Sequence, residues 1–161
     1  MTMTEVTIYQ IKKLREQTDM PVMDCRQALE EAGGDEKKAL DFLKAKGLAR
    51  AEKKANRQVK AGLISAYTHT NGQIGVLVEL ACETDFVSRN EEFQLLAHEL
   101  CLQVASMNPK NVEELLKQPW IRDDKKTIDD LVKETIGKLG ENIVIRRIVR
   151  FALGENVADS K

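Results

Sequence analysis

The stretch from Leu63 to Cys82 constrains the fold more than any other part of the chain. Leu63 to Thr68 reads as a strand, and Asn71-Gly72 supplies a residue pair that favours tight reversal of the backbone. Beyond it, Ile74, Val76, Val78, Leu80 and Cys82 alternate and so share one face of a second strand. A hairpin with one apolar face is not stable alone in water and needs a layer laid against that face. The next apolar run has the other period: Phe93, Leu96, Leu100, Val104 and Met107 recur at helical spacing. Ser88 and Glu91 form a capping-box pattern ahead of it, which places the helix start close to Ser88, and Asn108-Pro109 ends it.

Downstream, Val112 to Asp124 is short and irregular, with Pro119-Trp120 inside it. Thr127 and Asp130 form a weaker capping box for a helix whose apolar face is Ile128, Leu131, Val132, Ile136 and Leu139, stopped by Gly140. The last strand runs from about Ile143 to Leu153. Strict alternation puts Ile143, Ile145, Val149, Phe151 and Leu153 on one face with Arg147 the odd member, and points Arg146 and Arg150 the other way. The expected class is α+β, a small antiparallel three-stranded sheet packed with helices.

Upstream, three short helices are expected. Ile8, Ile11 and Leu14 make the first stripe; Thr18 and Asp19 offer caps for a second helix, and Pro21 suits its first position. Val22, Cys25, Leu29 and Ala32 follow at helical spacing until Gly33-Gly34. Asp35 caps a third helix with Ala39, Leu40 and Leu43 on its face and Phe42 beside them, ending at Gly47. From Leu48 to Lys60 the composition shifts: Arg50, Lys53, Lys54, Arg57 and Lys60 stand against Glu52 alone. This reads as a helical linker with a boundary near residue 56, dividing a three-helix module (1–56) from an α+β core domain (57–161).

A net charge of −1 gives no overall electrostatic reason to bind nucleic acid, and 4% aromatic residues make a poor base-stacking platform. The three cysteines, Cys25, Cys82 and Cys101, form no CxxC pair and sit in apolar-periodic stretches, so reduced buried thiols in a cytoplasmic protein are expected. The charged start is not a secretory signal, and no apolar run is long enough to span a membrane. His98-Glu99 begins the zinc motif HExxH, but Leu102 breaks it. Around Gly137-Lys138 a phosphate loop fails at Val132 and Leu139, and no GxGxxG follows a strand. No metal, cofactor or nucleotide site is expected, and the charge runs at Glu30–Lys38 and Arg50–Lys60 read as exposed faces. The chain suits a binding protein better than a catalyst of covalent chemistry.

Thr84-Asp85-Phe86-Val87 stands between the second strand and the helix that follows. An acid and one of only seven aromatics share a tight corner between two well-specified elements, a place where function concentrates. Spacing alone leaves Phe86 equally able to plug the core beneath the next helix or to face outward. Asp85 reads either as a second helix cap or as a contact residue.

Three blocks, in order, resemble one family, the translation elongation factor Ts proteins. In the first, Leu14, Arg15, Thr18, Met23, Asp24, Cys25, Ala28 and Leu29 match the leading pattern L-R-x-x-T-x-x-x-M-M-D-C-x-x-A-L, with Val22 where Met is usual. The second, VELACETDFVSRNEEF, carries the family's most specific signature, and the third, KLGENIVIRRIVRF, resembles its C-terminal strand. The resemblance implies a guanine-nucleotide exchange factor for elongation factor Tu. Its leading module would be a ubiquitin-associated-like bundle that contacts the GTPase through Arg15, Val22 and Met23. Thr84, Asp85, Phe86 and Val87 would be the working element, the aromatic inserting between helices of the partner.

Helical geometry sets a limit on the first contact, since a helix cannot bury and expose two neighbours equally; one of Val22 and Met23 is expected in the bundle core. Arg15 reads either as a solvated residue or as an interface anchor. Between NPKNVEELL and KQPWIRDDKK the chain is shorter than long family members. Short members with a single core half can pair as homodimers; the cysteine that can bridge such a pair is absent, Val149 standing in RRIVRF, which leaves a non-covalent dimer through that strand or its sheet. Two other readings compete: a pure interaction module, the bundle fused to a dimerisation domain, whose partner binding is indifferent to GDP; and RNA association through Arg50 to Lys60 and Arg146, Arg147 and Arg150.

Overall fold

The computed structural model describes residues 6–155 as an α+β protein. The first five residues of the segment read above as no secretory signal lie outside that range. Three helices open the chain: α1 (Ile8–Thr18), α2 (Val22–Glu31) and α3 (Glu36–Lys54). The hairpin β1 (Ala61–Thr68) and β2 (Ile74–Cys82) follows, then a single helical turn, α4 (Asp85–Ser88), and α5 (Glu91–Met107). The rest comprises α6 (Val112–Lys117), β3 (Pro119–Trp120), β4 (Asp123–Thr127), α7 (Ile128–Leu139) and β5 (Ile143–Ala152).

β2 is the middle strand of an antiparallel sheet of order β1-β2-β5. Its inward residues Val76, Val78, Leu80 and Cys82 are buried beneath α5, whose Phe93, Leu96, Leu100 and Val104 are buried in the same core. α7 closes that core with Ile128, Val132 and Ile136. Thr127 caps α7 in a true capping box: its hydroxyl accepts from the Asp130 amide while the Asp130 carboxylate accepts from the Thr127 amide. Met107, at the end of the α5 stripe, is exposed instead, because Asn108 turns the chain into the left-handed region there. In the hairpin His69 pairs with Ile74, Thr70 to Gln73 make the reversal, and Gly72 takes the positive φ of 70°.

Several local expectations are corrected. Ile8 faces solvent, and the α1 stripe is Ile11 and Leu14. Asp19 ends α1 in a left-handed conformation and caps nothing downstream. α3 does not stop at Gly47; it continues to Lys54 because that turn is packed against α7, where a Cβ added to Gly137 would meet Gly47 Cα at 3.0 Å. Tertiary contact thus outweighs the ordinary cost of glycine in a helix. The basic run beyond Gly47 is not simply a solvated face. Arg50 pairs with the buried Asp24 at 2.6 Å, joined there by Lys46 from just before Gly47 at 2.9 Å, and Lys54 donates to the Gly140 carbonyl at 2.6 Å. The supposedly irregular segment holds α6 and the β3–β4 hairpin, fastened by Gln103, which donates to the Pro119 carbonyl and accepts from the Ile121 amide.

The last strand departs most from strict alternation. Leu80 pairs with Ile145 but Glu79 pairs with Arg147, so Arg146 is an extra residue, a β-bulge. Past it the parity reverses. Ile148 and Arg150 turn toward the core side, while Val149 and Phe151 face out. The three cysteines are buried and unpaired, and burial pushes each thiol's pKa upward.

Candidate protein-docking site

The segment after β2 is itself one turn of helix, with a separate residue for each task. Thr84 is its N-cap, in extended conformation, and its hydroxyl faces the Val87 amide at 3.5 Å. Asp85 is exposed in the first turn and pairs with Arg89 at 3.2 Å. Val87 turns inward and packs on the main core. Phe86 stands 84% exposed. The reading of Phe86 as a core plug therefore fails: Val87 takes the inward position, and Phe86, one residue before it and about 100° round the turn, lies on the open side. The helix also does not start at Ser88. The Ser88 hydroxyl donates to the Asp85 carbonyl, and α5 is capped by Asn90, whose side chain accepts from the Glu92 amide.

The turn is pinned from outside by Glu141. That carboxylate accepts from the Glu83 amide (3.1 Å), the Thr84 amide (3.0 Å) and the Thr84 hydroxyl (2.6 Å). Glu83 answers by accepting from the Asn142 amide at 2.8 Å. Bonds to a charged acceptor are stronger than neutral ones, so this clasp is a firm one. Leaving a phenylalanine in water forgoes about 1.5–3 kcal/mol of burial, and here the forfeit is made on a turn that is not free to fold it away.

A second exposed apolar pair lies at the start of α2. Val22 is 45% and Met23 69% exposed, so neither is in the bundle core and the expectation that one would be is corrected. Asp24, Cys25, Ala28 and Leu29 supply the buried face instead, which leaves both preceding residues on the outer side. Arg15 is exposed on α1. Asp24 holds this end of α2 to α3. Burial alone would raise its carboxyl pKa, but hydrogen bonds from Arg50 and Lys46 outweigh that and hold it below the usual carboxylate range.

Glu141 and Asp24 lie within the blocks that resemble the family, but neither carries a local pattern that marks its task. The only local signal for Glu141 was its place after Gly140, at a helix end next to the last strand. Its partners lie more than fifty positions away, beyond the reach of any spacing rule.

Fold and site together are those of an α+β protein that presents apolar side chains outward from rigidly held turns. A family model described as Elongation factor TS matches residues 83–160. "Elongation factor Ts" of Oleidesulfovibrio alaskensis is 43% identical over 197 aligned positions, covering 94% of this chain and 100% of that protein. That of Coprothermobacter proteolyticus is 44% identical, with 94% of this chain and 100% of the relative covered. The chain belongs to the elongation factor Ts family. The first alignment is longer than the chain (197 positions against 161 residues), so that relative carries sequence this chain lacks.

Proposed function

We propose that the protein is a guanine-nucleotide exchange factor for elongation factor Tu. The observation that carries the reading is Phe86, 84% exposed on a turn pinned on both sides, within a chain of this family. A GTPase holds its nucleotide and Mg²⁺ with loops and a helix N-terminus. A rigid wedge that displaces those elements loosens the grip without touching the guanine. Release then follows by linkage: a factor that binds the nucleotide-free partner better than the GDP-bound one must weaken GDP by the same factor. A coupling of about 4 kcal/mol corresponds to roughly a thousandfold. One buried phenylalanine supplies on the order of 1.5–3 kcal/mol, so other contacts must share the work. In this reading residues 1–56 are the leading module and supply them through Arg15, Val22 and Met23. The work is done by binding, with no covalent step and no cofactor of the factor's own, and it is done in the cytoplasm.

The test is stopped-flow release of labelled GDP from elongation factor Tu. Wild-type protein should accelerate it, and Phe86→Ala should lose most of that acceleration while remaining folded. A folded F86A protein with an unchanged rate would overturn this assignment of the wedge.

We further propose that the outer face of the sheet pairs with a second copy. Ile64, Leu77, Val149 and Phe151 are exposed there around the Glu79–Arg147 ion pair (2.6 Å), an apolar patch with complementary charges at its middle. Sedimentation of the wild type and of Phe151→Lys should show a dimer in the first and a monomer in the second. A monomeric wild type at high concentration removes this part of the reading.

A further inference from the structure

We infer that Glu141 is a positioning residue for nucleotide exchange: it sets the direction of Phe86 by fixing the turn that carries it. The inference rests on the reading of Phe86 as the wedge.

A threonine hydroxyl has one proton and can accept as well as donate. Thr84 gives its proton to Glu141 at 2.6 Å, which leaves only lone pairs to face the helix and makes it an obligate acceptor for the Val87 amide. The carboxylate thus determines which way the cap works. It also takes the amides of Glu83 and Thr84, the last two before the turn. The remaining hydrogen bonds of the Asp85–Ser88 turn and its cap run to near neighbours in the chain, including the Asn90 amide on the Val87 carbonyl and the Cys82 Sγ on the Thr84 carbonyl at 3.1 Å; they shape the turn, and Glu141 is the partner that reaches it from a distant segment. The turn's aim comes from Glu141 on one side and the packed Val87 on the other.

Glu141 is itself held from the opposite direction. Its neighbour Gly140 accepts from the Lys54 ammonium at 2.6 Å, and its neighbour Asn142 donates through Nδ2 to the Ala55 and Arg57 carbonyls at 3.3 and 2.9 Å. Three consecutive residues therefore grip the end of α3 with two members and the Phe86 turn with the third. α3 is the helix that anchors Asp24, next to Val22 and Met23. The two exposed apolar points are in this way tied to one frame, and small misplacement of a reacting or docking group is costly in rate.

The experiment uses the full chain with Glu141→Ala, Glu141→Gln, Thr84→Val, Thr84→Ser and Phe86→Ala, each read in two ways. In exchange assays E141A should lower the maximal GDP-release rate about tenfold, with a smaller change in the half-saturating concentration. E141Q, which keeps an acceptor but no charge, should fall between. T84V should resemble E141A, and T84S should recover most of that loss. E141A combined with F86A should be no slower than F86A alone. In the free protein, amide hydrogen exchange at Val87, Ser88 and Arg89 should quicken in E141A while α5 stays protected. Unchanged amides, or an E141A effect that persists undiminished beside F86A, would overturn the inference. If F86A itself fails to slow release, the wedge reading falls, and the amides still decide whether Glu141 holds the turn.

Discussion

Gly47 and Gly137 meet where α3 crosses α7, so closely that a Cβ on Gly137 would lie 3.0 Å from Gly47 Cα. The contact is asymmetric, because a Cβ on Gly47 would meet nothing within 4 Å. Replacing glycine by alanine inside a helix is worth about 1 kcal/mol from propensity alone. Gly47→Ala should therefore stabilise the protein by about that amount. Gly137→Ala should cost about 1–2 kcal/mol net, since backbone must move to admit the methyl group. Urea unfolding of the two variants decides, and a G137A protein as stable as G47A would contradict the crossing geometry.

Asp24 makes the leading helices sensitive to acid. Its folded pKa lies below the unfolded value of about 3.9, so in the window between them the unfolded chain binds more protons. Stability from the Lys46–Asp24–Arg50 group is fully present above the unfolded value and is lost as pH falls through the folded one. Below about pH 4 the wild type should weaken relative to neutral pH more than Asp24→Asn does. Chemical denaturation at stepped pH, with a probe in the leading helices, measures the difference. Parallel pH profiles for the two proteins would remove the carboxylate from this role.

Binding and stability should separate at α2. Val22→Ala and Met23→Ala change exposed side chains, so thermal midpoints should hold while affinity for elongation factor Tu falls by about 1–2 kcal/mol for the pair. Leu29→Ala, in the fully buried face of the same helix, should instead cost about 2–5 kcal/mol of stability. Titration calorimetry beside thermal melts distinguishes the two patterns. An affinity untouched by the Val22 and Met23 changes would remove this end of α2 from the docking surface.

The bulge at Arg146 predicts an inversion in β5. Ile148→Ser should cost about 1–3 kcal/mol because Ile148 packs on the core, whereas Val149→Ser should stay within about 1 kcal/mol at protein concentrations too low for association. Strict alternation from Ile143 would give the opposite order.

Much of this was written into local sequence. The Leu63–Cys82 hairpin, the Thr127 capping box, the buried face of α5 up to Val104 and the three leading helices follow from period, caps and turn residues that act over a few positions. The Thr84–Val87 segment was also marked locally, by an acid and an aromatic between a strand and a helix. Tertiary structure decided what local rules cannot reach. Gly47 stays helical because α7 lies against it, and Arg146 is squeezed out of register, so every later side chain of β5 changes face. Val22 and Met23 both stand outside because Asp24 and Cys25 take the inner face. Phe86 could have gone either way on spacing. It points outward because Val87 fills the space beneath, and because Glu141, brought from the far end of α7, holds the turn in place. Periodicity reports which residues can share a face; which face is covered depends on chain segments that meet only when the whole molecule folds.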